Sequence, residues 1–165
     1  MKGKKTDMKK ILVVAAHPDD EILGVGATVA KHAAQGDEVY ALILGEGQTS
    51  RGEHREDISA DVVKELHQNT LESAEKVGYK EVYFADFPDN RFDQVDLLDV
   101  VKAVEHKIKE IQPEIIYTHY SGDLNIDHQY TARAVLTATR PIGDYPVKEI
   151  YAFETLSSTE WNFDY

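Results

Sequence analysis

The segment His17-Pro18-Asp19-Asp20-Glu21 sets one imidazole and three carboxylates within five residues. His17 and Asp20 are three residues apart across what reads as the junction of a strand and a helix, a separation that can aim both side chains at one point. Asp19 lies between them and could face a metal-bound water without binding the metal. Residues 119–128 form a second polar segment, with His119, Asp123, Asn125, Asp127 and His128. A hydrolytic zinc site uses three N/O ligands and keeps a fourth position for water, so His17, Asp20 and His128 form a candidate ligand set. Paired imidazoles favour Zn2+ or a similar divalent transition metal over Mg2+, which prefers carboxylates and water. The acids at 19–21 have a second explanation, because a helix dipole stabilises acids in the first turn. A histidine such as His128, taken alone, is more often structural.

These two segments converge only if the elements carrying them are neighbours. Residues 11–16 (ILVVAA) are a continuous apolar run, as in a central parallel strand covered on both faces. Further strands are expected at 38–44, 81–85, 114–119 and 147–153. Helical periodicity covers 20–35, 60–77, 96–111 and 127–139, with Gly36 and Gly78 as stops and Pro113 shortly after the third helix. Strands separated by helices imply βαβ units and a mostly parallel sheet, an α/β fold with Rossmann-like α/β/α layering. In the order 3-2-1-4-5 the winding reverses between strands 1 and 4, and ligands collect at the carboxyl ends of strands there. Those ends are His17–Asp20 and His119–His128. A single domain is expected over residues 10–165, after a flexible tail at 1–9.

Composition narrows the partners. The 165 residues carry 30 acids against 18 Lys and Arg, a net charge of −12, which repels phosphate backbones and anionic lipid. Nucleic acid is therefore not an expected partner, and no apolar run is long enough for membrane insertion. With no cysteine, thiolate ligands and disulfides are excluded. A cysteine-free chain fits a reducing cytoplasm, and cytoplasmic localisation is the expectation.

The motifs Ala16-His17-Pro18-Asp19-Asp20-Glu21 and Gly122-Asp123-Leu124-Asn125-Ile126-Asp127-His128 give the chain a resemblance to the LmbE/PIG-L family of metal-dependent de-N-acetylases, over about residues 9–155. The resemblance implies a Rossmann-like fold, one zinc ion, and removal of an N-acetyl group, or a similar small acyl group, from an amino sugar such as N-acetylglucosamine or a conjugate of it. It makes His17, Asp20 and His128 the zinc ligands and Asp19 the general base, and it carries an expectation of homo-oligomers. The chain departs from the family pattern at Asn125, where many members have a histidine. His119 is the nearest alternative for stabilising or protonating the intermediate, and Asp127 is either an orienting partner for a histidine or a helix cap.

Substrate contacts would come from neighbouring loops. Arg51, in the Gly-rich stretch 45–53, is a candidate for a sugar hydroxyl or phosphate. Asp89 and Arg91, in the turn Pro88-Asp89-Asn90-Arg91, are candidates for sugar hydroxyls; the alternatives are an ordinary turn and solvated charges. Gly24-Val25-Gly26 lies inside the first helix and reads as a close-packing device, not a dinucleotide fingerprint. Trp161 is either a sugar-stacking platform or a core plug. The competing functions are a metal-dependent phosphoryl-transfer enzyme and a non-catalytic metal- or nucleotide-binding Rossmann-like domain. A spare carboxylate beside the metal, Asp19, separates catalysis from a structural site.

Overall fold

The computed structural model describes residues 8–142, 146–156 and 158–162. Most of the expected tail at 1–9 and the last three residues lie outside the described part. Five strands, β1 (Lys10–Ala15), β2 (Glu38–Gly45), β3 (Glu81–Phe87), β4 (Ile115–His119) and β5 (Glu149–Phe153), form one sheet in the order β3-β2-β1-β4-β5. Every pairing is parallel. The helices are α1 (Asp20–Leu23), α2 (Gly26–Gln35), α3 (Ala60–Val77), α4 (Leu97–Ile111) and α5 (Ile126–Ala138). The fold class and strand order agree with the sequence-based expectation, with strand ends shifted by up to two residues.

β1 explains why the sheet is closed on both faces. Leu12 and Val14 pack with Val100, Val104 and Val135 beneath α4 and α5. Ile11 and Val13 point the other way, against Val29 of α2 and Ala74 of α3. A strand with no polar face must be buried on both sides, and at roughly 1.5–3 kcal/mol per fully buried aliphatic side chain these two layers hold the sheet together. No helix among the described residues is long and apolar enough to cross a membrane.

The first helix departs from the expectation. The periodic stretch 20–35 is broken into α1 and α2, because Val25 leaves helical geometry at φ −138°, ψ 2°. Gly24 itself keeps helical geometry (φ −80°, ψ −40°), and a Cβ there would sit 2.3 Å from the ring of Phe153, so glycine lets the chain pass close to β5. The close-packing reading of this glycine holds. α2 ends at Gly36 in the left-handed conformation (φ 91°), as its position in the sequence predicts.

Candidate active site

The carboxyl ends of β1 and β4 lie side by side at the middle of the sheet, and both polar segments meet there. Asp20 Oδ2 is 3.4 Å from His17 Nδ1 and 3.3 Å from His128 Nε2. Ligand atoms held at about 2.0–2.1 Å by a tetrahedral zinc ion lie roughly 3.3 Å apart, and these two separations match that spacing. All three ligand atoms fall within 4.8 Å of one another.

The charge balance also fits a cation. Asp20, Asp89, Asp123 and Asp127 are all buried. Among the described residues, the only basic groups paired with them are the imidazoles of His17, His119 and His128. Four buried carboxylates without a lysine or arginine demand another source of positive charge. In the absence of an ion the imidazoles of His17 and His128 supply it. Burial opposes a charged His17, yet hydrogen bonds to Asp127 and Asp20 and the charges of Asp20 and Asp89 outweigh burial and raise its pKa to about 10. Burial opposes a charged Asp20 in the same way, and the imidazoles of His119, His128 and His17 hold it well below the carboxylate range.

Each histidine of the trio has a carboxylate beside its second ring nitrogen. Asp127 Oδ2 lies 3.0 Å from His17 Nε2, while its Oδ1 accepts the backbone N–H of Phe92 at 3.0 Å. Without an ion both ring nitrogens carry protons, Nε2 facing Asp127 and Nδ1 facing Asp20; a metal would displace the Nδ1 proton while Asp127 keeps the one on Nε2. Asp123 Oδ1 lies 3.2 Å from His128 Nδ1. Asp123 is itself held by the hydroxyls of Ser158 and Thr159 and by the backbone N–H of Asn125. Sequence reasoning quoted Asp123 in its motif but gave it no role, since its partners come from a segment 35 residues further on.

His119 and Asn125 are committed elsewhere. His119 Nε2 accepts the backbone N–H of Ala16 at 2.9 Å, and its ring stacks on His128 at 3.9 Å between centroids. With that lone pair used, the proton sits on Nδ1, towards the Thr155 hydroxyl at 3.4 Å. Burial lowers its pKa, so the ring is neutral. Asn125 is the N-cap of α5: its Oδ1 accepts from Asp127 N at 2.8 Å, and its Nδ2 donates to Asn90 Oδ1 at 3.0 Å.

Asp19 differs from every other acid here. Its backbone has φ 101°, ψ −30°, a conformation that costs a non-glycine residue of order 1–3 kcal/mol. Its side chain borders a cavity of about 380 Å³ and makes no side-chain cap to α1. Burial and the charge of Asp20 push its pKa up to about 6, against the opposing charges of His17, Arg51 and His128. Glu21 is fully buried beside it, and burial pushes its pKa up to about 7.

The cavity runs outward from His17 and Asp19 between Ile22 and Leu23 on one side and Leu66, Asn69 and Ser73 of α3 on the other. Arg51 and Asp89 line it; Arg91 does not. Both oxygens of Asp89 are engaged, Oδ2 by the N–H and hydroxyl of Ser50 and Oδ1 by Asn90 Nδ2, with His17 Nε2 at 3.3 Å. The Gly-rich loop is anchored by Arg55, whose guanidinium donates to Glu46 at 2.7 and 2.8 Å. The contribution of α3 was not anticipated: its cavity residues are polar or aliphatic and carry no motif. Trp161 is 57% exposed and lies off the cavity, so it is not a core plug.

Comparison with known proteins gives the same picture. The family model described as PIG-L, GlcNAc-PI de-N-acetylase, matches residues 12–139. The uncharacterized deacetylase YaiS of Escherichia coli K12 is 29% identical over 155 residues, 91% of this chain and 76% of that protein. A probable N-acetyl-alpha-D-glucosaminyl L-malate deacetylase 2 of Bacillus cereus is 32% identical over 133 residues, 79% of this chain but 60% of that one. Among solved structures, the 4-carboxy-2-hydroxymuconate hydratase of Pseudomonas putida KT2440 superposes with a TM-score of 0.67 at 26% identity, over 80% of this chain and 56% of the hydratase. With the family model reaching from β1 to the end of α5 and taking in both polar segments, the chain belongs to the PIG-L family of de-N-acetylases.

Proposed function

We propose that the chain is a zinc-dependent N-deacetylase acting on an N-acetylated amino sugar or its conjugate. The observation that carries this reading is the trio His17, Asp20 and His128, of which His17 opens onto the cavity, with the carboxylate of Asp19 lining the cavity next to it. A zinc ion held there would acidify a bound water to near neutrality and polarise the amide carbonyl. Asp19, with a pKa near 6, takes the proton as water attacks the carbonyl carbon and returns it to the amine as the C–N bond breaks. The same group serves as base and then acid, because His119 and Asn125 are both occupied by structural hydrogen bonds. Asp127 and Asp123 keep His17 and His128 in the ligating tautomer and orientation. Arg51 and the α3 face receive the rest of the sugar.

The test is metal analysis of the purified chain with an amine-release assay over N-acetylglucosamine, its β-linked dimer and its malate and nucleotide conjugates. Zinc at one per chain and amine release from at least one substrate are expected. Asp19→Ala should retain the zinc and lose at least about 100-fold in rate. Stoichiometric zinc without amine from any substrate would overturn the deacetylase reading, and a hydration reaction at the same site would show itself that way.

A further inference from the structure

Asp19 holds a backbone conformation that side-chain-bearing residues avoid, and something must hold it there. Its carbonyl accepts from the N–H groups of Ile22 and Leu23, at 2.9 and 2.8 Å. Its own N–H donates to Glu21 Oε2 at 2.9 Å. Glu21 is entirely buried, and its other oxygen has no hydrogen-bond partner. It is fixed from behind by the Tyr79 hydroxyl, which donates to the Glu21 carbonyl at 2.8 Å. Glu21 also borders the cavity. A buried carboxylate with an orphaned oxygen is a poor way to stabilise a fold, and an aliphatic side chain of that volume would do better. What the carboxylate supplies, and an aliphatic cannot, is an acceptor for the Asp19 N–H.

We propose that Glu21 is a positioning residue for Asp19: by accepting its backbone N–H, Glu21 holds the left-handed backbone that turns the Asp19 carboxylate towards the cavity. Tyr79, just past α3 and buried in the core layer with Val29 and Ala74, ties the Glu21 backbone to that layer through its hydroxyl. The inference rests on Asp19 being the base.

The experiment compares zinc-loaded Glu21→Met, Glu21→Asp and Glu21→Gln with wild type, using amide NMR of the full chain and steady-state amine release from the fastest substrate. Met removes the acceptor, Asp withdraws it by one methylene, and Gln keeps it. The Asp19 amide proton should lie downfield and resist exchange in wild type and the Gln variant, and should shift upfield and exchange faster in the Met and Asp variants. kcat should fall at least about tenfold in Met and Asp with KM within about twofold and zinc still one per chain, and Gln should recover most of it. An unshifted Asp19 amide in the Asp or Met variant overturns the proposal, as does a Gln variant as slow as Met. If Met fails to fold, Asp against Gln decides. Asp19→Asn, run alongside, separates the two claims: full activity there sinks the base assignment, while the amide signature still decides whether Glu21 holds the turn.

Discussion

Replacing Asp127 with asparagine tests the orientation of His17 by a change of two atoms' chemistry. Asp127 is fully buried, and its Oδ1 accepts the Phe92 N–H at 3.0 Å. In Asp127→Asn the carbamoyl oxygen must keep that bond, because an NH2 there would meet a donor head-on. The new NH2 then faces His17 Nε2, which Asp127 Oδ2 now approaches to 3.0 Å. Facing a donor, Nε2 must give up its proton, and the imidazole carries it on Nδ1, the nitrogen that faces Asp20 and would ligate zinc. Binding then requires reversing the tautomer against a hydrogen bond to a charged group, worth about 1.5–3 kcal/mol, or roughly 10- to 150-fold in zinc affinity. Asp89 Oδ1, 3.3 Å from the same nitrogen, offers a fallback acceptor and sets the lower end. The double change Asp127→Asn with Asp89→Asn should reach the upper end. The assay is zinc competition with a chromophoric chelator at pH 7.5, with near-ultraviolet circular dichroism confirming an intact fold. Wild-type affinity in Asp127→Asn would mean that His17 binds through Nε2 or does not bind, and the tautomer argument would fail.

Other changes probe separate parts of the molecule. Asp123→Ala removes the carboxylate behind His128 and should weaken zinc binding about 10- to 100-fold in the same competition assay; unchanged affinity would assign Asp123 only to the C-terminal segment. His119→Phe leaves the buried Ala16 N–H without its acceptor, so urea denaturation should show a loss of about 1–3 kcal/mol while zinc stays at one per chain. Loss of the metal in that variant would make His119 a ligand. Gly24→Val drives a side chain into the Phe153 ring and should cost about 1–3 kcal/mol, lowering Tm by roughly 2–10 °C. An unaltered melting curve would show that the Phe153 ring yields to a side chain at position 24. Chelation should lower Tm of the wild type, and zinc at 1,000 times Kd should restore about 4 kcal/mol; equal melting curves with and without chelator would argue against a bound metal.

The architecture was readable because its signals are local and repeated. A fully apolar β1 flanked by helical periods specifies a parallel sheet covered on both faces, and the switch point follows from strand order. The convergence of His17, Asp20 and His128 was readable for the same reason, since all three lie in the segments that follow the two central strands. What stayed hidden depends on contacts between distant segments. The periodicity of 20–35 runs on through Gly24, and nothing near it in sequence announces the Phe153 ring, more than 120 positions later, that leaves no room for a side chain there. His119 looks available for chemistry until Ala16 is seen to use its lone pair. Asp89 looks like a sugar contact until Ser50 and Asn90 are found on its oxygens. Asn125 reads as a missing histidine, whereas in the fold it caps α5 and ties that helix to the turn at Asn90.

The cavity has two walls of different kinds, and this bears on how such a protein could diversify. One wall, His17 to Glu21, is welded to the two central strands by interlocking hydrogen bonds, so a change at any member disturbs several others. The opposite wall is a face of α3, where Leu66, Asn69 and Ser73 line the cavity and belong to neither polar segment. Substitutions there can reshape what fits beside the metal while the hydrolytic apparatus stays intact. A mutational library confined to those three positions is thus the economical route to altered substrate preference, and natural divergence is expected to have followed it.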